Sequence, residues 1–160
     1  MSPRKPWGGI KKASAEQQGR KYGYRSGLED VVQKALDAKG VNYTYEEHTL
    51  CYLPDPKPKK YTPDFVLPNG IIVETKGRWL TPDRIKMKLI TEQHPDLDIR
   101  MVFNSSKSKI SKTSKTTYAV YCSRLGMPYA DKMIPQEWID ESYDKSRWDA
   151  IKKALHGWSL

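Results

Sequence analysis

Cysteine is scarce in this sequence: Cys51 and Cys122 are the only two in 160 residues. Two thiols cannot build a disulfide framework, and these lie too far apart in the chain to form a zinc-type pair, so both read as ordinary buried or half-buried thiols. Any metal must then be held by oxygen ligands. Long apolar runs are also missing. Charged residues make up 29% of the chain, mean hydropathy is −0.77, and no stretch is long enough to cross a bilayer. Met1 to Lys12 is basic without an apolar stretch behind it, which excludes a typical secretory signal and points to an intracellular location. No internal repeat is present. What remains, with 38% hydrophobic and 11% aromatic residues, suits one domain with one core.

Acids are absent where bases gather. Residues 1–25 hold seven basic side chains against Glu16 alone, and residues 104–117 hold four lysines and no acid; with a net charge of +9, the rest of the chain stands at −1. Cations set among Ser, Thr and Gly suit contact with a phosphate backbone, since hydroxyls and amides can bond phosphate oxygens beside them. Either segment alone reads equally well as a solvated tail or loop.

The first 22 residues form a basic arm with no amphipathic period. Ser26 can cap a helix whose apolar residues Leu28, Val31, Val32, Ala35 and Leu36 recur at helical spacing, with Gly40 as its stop. Val41 to Tyr45 alternates as a strand, and Pro54, Pro56 and Pro58 mark a connector. Phe65 to Leu67, the turn Pro68-Asn69-Gly70 and Ile71 to Val73 predict a central hairpin apolar on both faces. Thr81 as cap with Pro82 behind it opens a helix to about His94; Ile99 to Phe103 is a further strand. Thr117 starts a helix carrying Tyr118, Tyr121, Cys122 and Leu125, ended by Gly126. A short edge strand within 128–133 and a turn burying Trp138 follow. The expected fold class is α/β, a mixed central sheet flanked by helices, over residues 23–140, with a tail at 141–160 that can be helical.

The hairpin places chemistry. With a three-residue turn, Leu67 faces Ile71, Phe65 faces Val73 and Asp64 comes opposite Glu74. Lys76 projects from the same face as Glu74, because side chains alternate along a strand. Two carboxylates this close raise the cost of ionisation unless a cation lies between them, and a hard divalent ion such as magnesium satisfies both. Lys76 has two uses beside such an ion: orienting the attacking water, or offsetting charge that grows on a phosphate. A plain salt bridge from Lys76 to either acid is the simpler alternative, weakened because both acids border apolar triplets where an unneeded charge is costly. Glu29 sits at the capping-box position relative to Ser26, and judged locally a cap is all it need be.

These residues carry a family resemblance. Ser26-Gly27-Leu28-Glu29-Asp30, Tyr61-Thr62-Pro63-Asp64-Phe65, Leu67-Pro68-Asn69-Gly70-Ile71 and Val73-Glu74-Thr75-Lys76-Gly77 resemble the phage endonuclease I family of Holliday-junction resolvases. The likeness continues through Glu92-Gln93-His94-Pro95 and Glu137-Trp138-Ile139, covering roughly residues 23–140. It implies a restriction-endonuclease-like core and a catalytic set of Glu29, Asp64, Glu74 and Lys76. Asp64 would serve two magnesium ions, which manganese could replace. Glu74 and the backbone carbonyl of Thr75 would complete one position, and Glu29 the other. It also implies a domain-swapped homodimer in which the glutamate-bearing N-terminal helix is exchanged through an extended bridge, matched here by about residues 50–60. Each site would then draw Glu29 from one chain and Asp64, Glu74 and Lys76 from its partner. The implied reaction is hydrolysis of phosphodiesters in four-way and other branched DNA by paired nicks, in the cytoplasm of a phage-infected bacterium. Arg20, Lys21, Arg25, Lys107, Lys109 and Lys112 are the candidate DNA-backbone contacts. Two alternatives stay open: a nuclease of the same core acting on linear duplex, and a non-catalytic basic protein that only binds nucleic acid.

Overall fold

The structure, a computed structural model, describes residues 27–52 and 59–156. The N-terminal arm, the Ser26 cap, the basic residues Arg20, Lys21 and Arg25, and the prolines at 54, 56 and 58 lie outside the described residues.

Helical spacing of apolar side chains makes α1 (Gly27–Ala38), which buries Leu28, Val32 and Leu36 and is followed by Gly40 at φ +64°. Val31, expected on that face, is 51% exposed. It stands about 100° round the helix from Val32, whereas Glu29 stands about 60° away on the other flank and is buried. The helix thereby turns a carboxylate toward the sheet.

The main sheet has five strands in the order β1 (Thr44–Tyr45), β4 (Phe65–Val66), β5 (Ile72–Lys76), β6 (Ile99–Phe103) and β7 (Tyr129–Asp131). Pairing is antiparallel from β1 to β5 and parallel from β5 to β7, so the sheet is mixed, as expected. The parallel steps are made through α2 (Thr81–Gln93) and α3 (Tyr118–Leu125). β2 (Leu50–Tyr52) and β3 (Lys59–Tyr61) pair with each other as a separate antiparallel ribbon.

Apolar residues on alternate faces of the strands build two layers. Phe65, Val73 and Val102 pack with α1, Ile134 and Trp138, the last carried by α4 (Gln136–Asp140). Val66, Ile72, Met101 and Phe103 pack with α2, α3 and the β2–β3 ribbon on the other side. Helix α5 (Lys145–His156) adds Ile151 and Ala154 to this second layer, and Trp148 Nε1 donates to the Pro68 carbonyl at 2.9 Å. Residues 141–156, part of the stretch set apart as a tail on sequence, therefore pack with the body that precedes them.

Two local expectations shift. The strand expected from Val41 shortens to Thr44–Tyr45, because Val41 donates back to the Leu36 carbonyl and closes the end of α1. The cap of α2 is Leu80, and Thr81 is already helical, its hydroxyl accepting from Arg84 at 2.8 Å. Thr117 caps α3 as expected, accepting from the Val120 amide at 3.2 Å, and Gly126 closes it at φ +68°.

Candidate metal centre

The hairpin forms in the register that alternation and turn chemistry require. Phe65 pairs with Val73 and Val66 with Ile72, while the Leu67 amide donates to the Ile71 carbonyl at 2.8 Å. Gly70 makes the turn possible twice over: its φ is +86°, and a Cβ there would lie 2.6 Å from the Cβ of Arg147. Asn69 fills the turn, its Oδ1 accepting from Ile71 and its Nδ2 donating to the Trp138 and Glu141 carbonyls.

This register brings Asp64, Glu74 and Lys76 to one end of the strands. Asp64 and Glu74 are each 2% exposed. Asp64 Oδ2 accepts from both the amide and the hydroxyl of Thr75, each at 2.8 Å, and Lys76 Nζ lies 3.4 Å from Glu74 Oε1. On the opposite face, α1 supplies Glu29, 4% exposed, whose Oε2 accepts from the Tyr45 hydroxyl at 2.6 Å. Carboxylate oxygens of Glu29, Glu46 and Asp64 all lie within 4.8 Å of one another. Asp64 thus stands between Glu74 on one side and Glu29 with Glu46 on the other.

Crowded carboxylates leave an electrostatic signature. Burial, then Glu74, then Glu29 push the Asp64 carboxyl well above the usual aspartate range, outweighing the Thr75 hydrogen bond and Lys76, which pull it down. Burial alone would lower the Lys76 ammonium, but Glu74 and Asp64 win and hold it above its ordinary value, so it stays charged. Among the described residues, four carboxylates against one ammonium make an oxygen-only, strongly negative donor set, and a hard divalent cation matches both its charge and its ligand type.

The sequence profile of the phage endonuclease I family matches residues 10–156. The chain is 51% identical over 135 residues to Endonuclease I of Escherichia phage T7, covering 84% of this chain and 91% of that protein. It is 48% identical, over the same length and the same share of this chain, to Endodeoxyribonuclease 1 of Enterobacteria phage T3, of which 88% is covered. The chain belongs to the phage endonuclease I family.

In this member of the phage endonuclease I family, the expected residues separate into two groups. Glu29, Asp64, Thr75, Glu74 and Lys76 come together around Asp64. Lys107, Lys109 and Lys112 do not; they are exposed on the 104–117 loop. That loop is built rather than slack. Ser106 ties it to Asp131 through its amide at 2.7 Å, and Ile110 and Tyr118 close a small ladder with Thr116 and Ser108. Glu46, Tyr45 and Tyr61 escaped the sequence reading. Tyr45 ends the alternating segment from Val41 and Glu46 follows it, and the chain turns at Glu46, where φ is +49°, which redirects its side chain from the expected strand pattern. Tyr61 donates to Glu74 Oε2 at 2.9 Å across 13 residues, a contact no local pattern announces. Among the described residues no helix is long and apolar enough to cross a membrane.

Proposed function

We propose that this chain is a magnesium-dependent, structure-selective DNA endonuclease that resolves four-way junctions and related branches by paired nicks, with manganese able to replace magnesium. The observation that carries this reading is the buried, oxygen-only cluster centred on Asp64, in a chain half identical to a phage endonuclease and to a phage endodeoxyribonuclease. Asp64, Glu74 and the Thr75 carbonyl would hold one ion, and Asp64 with Glu29 a second. When bound, such ions supply Lewis acidity at a phosphoryl oxygen and make a water easier to deprotonate.

The chain's own residues do the remaining work. The paired hydrogen bonds from Thr75 hold Asp64 in one orientation before substrate arrives. Lys76, kept charged by its acidic neighbours, offsets negative charge that grows on the phosphate, or orients the attacking water. The exposed lysines at 107, 109 and 112, with Arg20, Lys21 and Arg25, contact the DNA backbone.

Paired nicking calls for two sites. We assign them to a two-fold homodimer with exchanged N-terminal helices. Residues 27–52 pack against 59–156 around Asp64, and the bridge assigned to the exchange is the proline-rich stretch at about residues 50–60. Made between copies, the same contacts would bring Glu29 of one chain beside Asp64 of its partner. The host cytoplasm is the matching location, since that is where a phage's DNA intermediates lie.

An end-labelled cleavage assay tests the proposal, using a four-way junction beside its linear arms, with magnesium or chelator, for the wild type and Glu74→Ala. Symmetric, magnesium-dependent cuts near the branch, lost in the variant while junction binding persists, are the expected result. Binding without scission under any divalent metal overturns the nuclease reading; equal cutting of linear arms overturns the branch selectivity.

A further inference from the structure

Two tyrosine hydroxyls hold two of the three glutamates of the centre, Glu74 and Glu29, one on each side of Asp64. Tyr61 donates to Glu74 Oε2 at 2.9 Å and Tyr45 to Glu29 Oε2 at 2.6 Å. Their rings are fixed by different parts of the molecule. Tyr61, on β3, is 1% exposed and packs with Leu50 in the second layer, with Lys86 Nζ 5.2 Å from its ring centre. Tyr45, on β1, lies against Phe65 with ring centres 5.3 Å apart. Facing a carboxylate, a phenol can only donate, so each bond pins one glutamate oxygen and with it the plane of the carboxylate.

We propose that Tyr61 and Tyr45 are positioning residues, each orienting the carboxylate that serves one metal position, Tyr61 through Glu74 and Tyr45 through Glu29. The inference rests on the two-position metal reading above. Its physical basis is that a ligating carboxylate is itself held by an outer hydrogen bond, whose loss typically weakens metal binding by about 10-fold to 100-fold. Each tyrosine also lies in the same part of the chain as the glutamate it holds. Tyr45 and Glu29 belong to 27–52, Tyr61 and Glu74 to 59–156, so each pair stays intact if the two parts associate between copies.

Titration of the full chain with manganese, followed by the spin-resonance signal of the free ion and without DNA, tests this on the wild type, Tyr61→Phe, Tyr45→Phe and the control Tyr143→Phe. Each phenylalanine keeps its ring and removes only the hydroxyl. The expected result is a rise of about 10-fold or more in the dissociation constant of one binding event in Tyr61→Phe and of the other in Tyr45→Phe, with Tyr143→Phe unchanged. Wild-type constants in both variants overturn the inference even if their metal-free melting temperatures fall, because that pattern belongs to packing alone. A shift in the same binding event for both overturns the one-to-one assignment. Absence of manganese binding in the wild type overturns the metal reading beneath it, which keeps the two failures distinct.

Discussion

Asp98, Arg100, Glu141 and Arg147 form one charged cluster and the residues around Asp64 form another, and they are assembled on opposite terms. In the first, two guanidiniums meet two carboxylates through bonds of 2.5 to 3.0 Å, several of them doubled on one pair. Every charge there has its complement. Burial alone would lower the Arg100 guanidinium, but Asp98 and Glu141 hold it above its ordinary value, while Glu141 is drawn below the usual glutamate range by Arg100 and then Arg147. Around Asp64 the acids outnumber the cation among the described residues, and the Asp64 carboxyl moves the other way. The balanced cluster ties α5 and the segment after α4 to the start of β6; the acid-rich one offers a cation the oxygen ligands it favours.

Substitutions should separate the two sharply. Asp64→Asn is expected to lower junction cleavage on the order of 10³-fold, while the metal-free protein stays at least as stable as the wild type, since a crowded carboxylate is removed. Cleavage rates beside thermal melts in chelator check this, and a large loss of stability would sink the contrast. Arg100→Ala should do the reverse. Removing one guanidinium leaves Asp98 and Glu141 to share Arg147 alone, at a cost of about 2 kcal/mol, which lowers Tm by about 6 °C. Cleavage per folded molecule at a temperature well below the transition should stay near wild type.

The pH dependence of stability should differ in sign between the clusters. Asp64 titrates higher folded than unfolded, so in chelator its contribution falls as pH rises from about 4 through the raised value. Asp64→Asn should therefore gain on the wild type as pH increases. Glu141 titrates lower folded than unfolded; its contribution is present above the ordinary glutamate value and lost as pH falls through the depressed one. Glu141→Gln should fall behind the wild type toward neutral pH and rejoin it in acid. Melts of the three proteins from acid to neutral pH would show curves diverging in opposite directions, and parallel curves would remove the distinction.

The smallest effect belongs to charges of a third kind, exposed and unpaired with either cluster. Replacing Lys107, Lys109 and Lys112 together by alanine should reduce the slope of log binding constant against log salt by roughly 0.9 for each phosphate that is no longer neutralised. Binding across a salt series measures it, and an unchanged slope would place the DNA track elsewhere on the surface.

Much of this was legible in the sequence where the governing forces are local. Turn chemistry and two-residue alternation set the hairpin register, and that register alone brought Asp64, Glu74 and Lys76 to one strand end. Thr117 and Gly126 bounded α3 for the same reason, since a cap and a left-handed stop act within one turn. Glu29 was different. Its local context allowed a simple cap, and only the packing of α1 across the sheet turns it toward Asp64, 35 residues away in the chain. Glu46, and the bond from Tyr61 to Glu74, had no local signal.

By itself, then, the amino-acid order determined the helices and strands of the main sheet, though not the β2–β3 ribbon in the expected connector, together with the mixed α/β class and half of the centre, because alternation, caps and turns are decided by neighbours in the chain. Tertiary structure decided the rest: that α5 closes the second layer onto Leu50 and Tyr52, that Arg147 completes the network at Asp98 and Glu141, and that Glu29 and Glu46 reach Asp64 from the face opposite Glu74. Those contacts join residues far apart in sequence. They depend on how layers stack, and no short-range pattern encodes which distant face a side chain will meet.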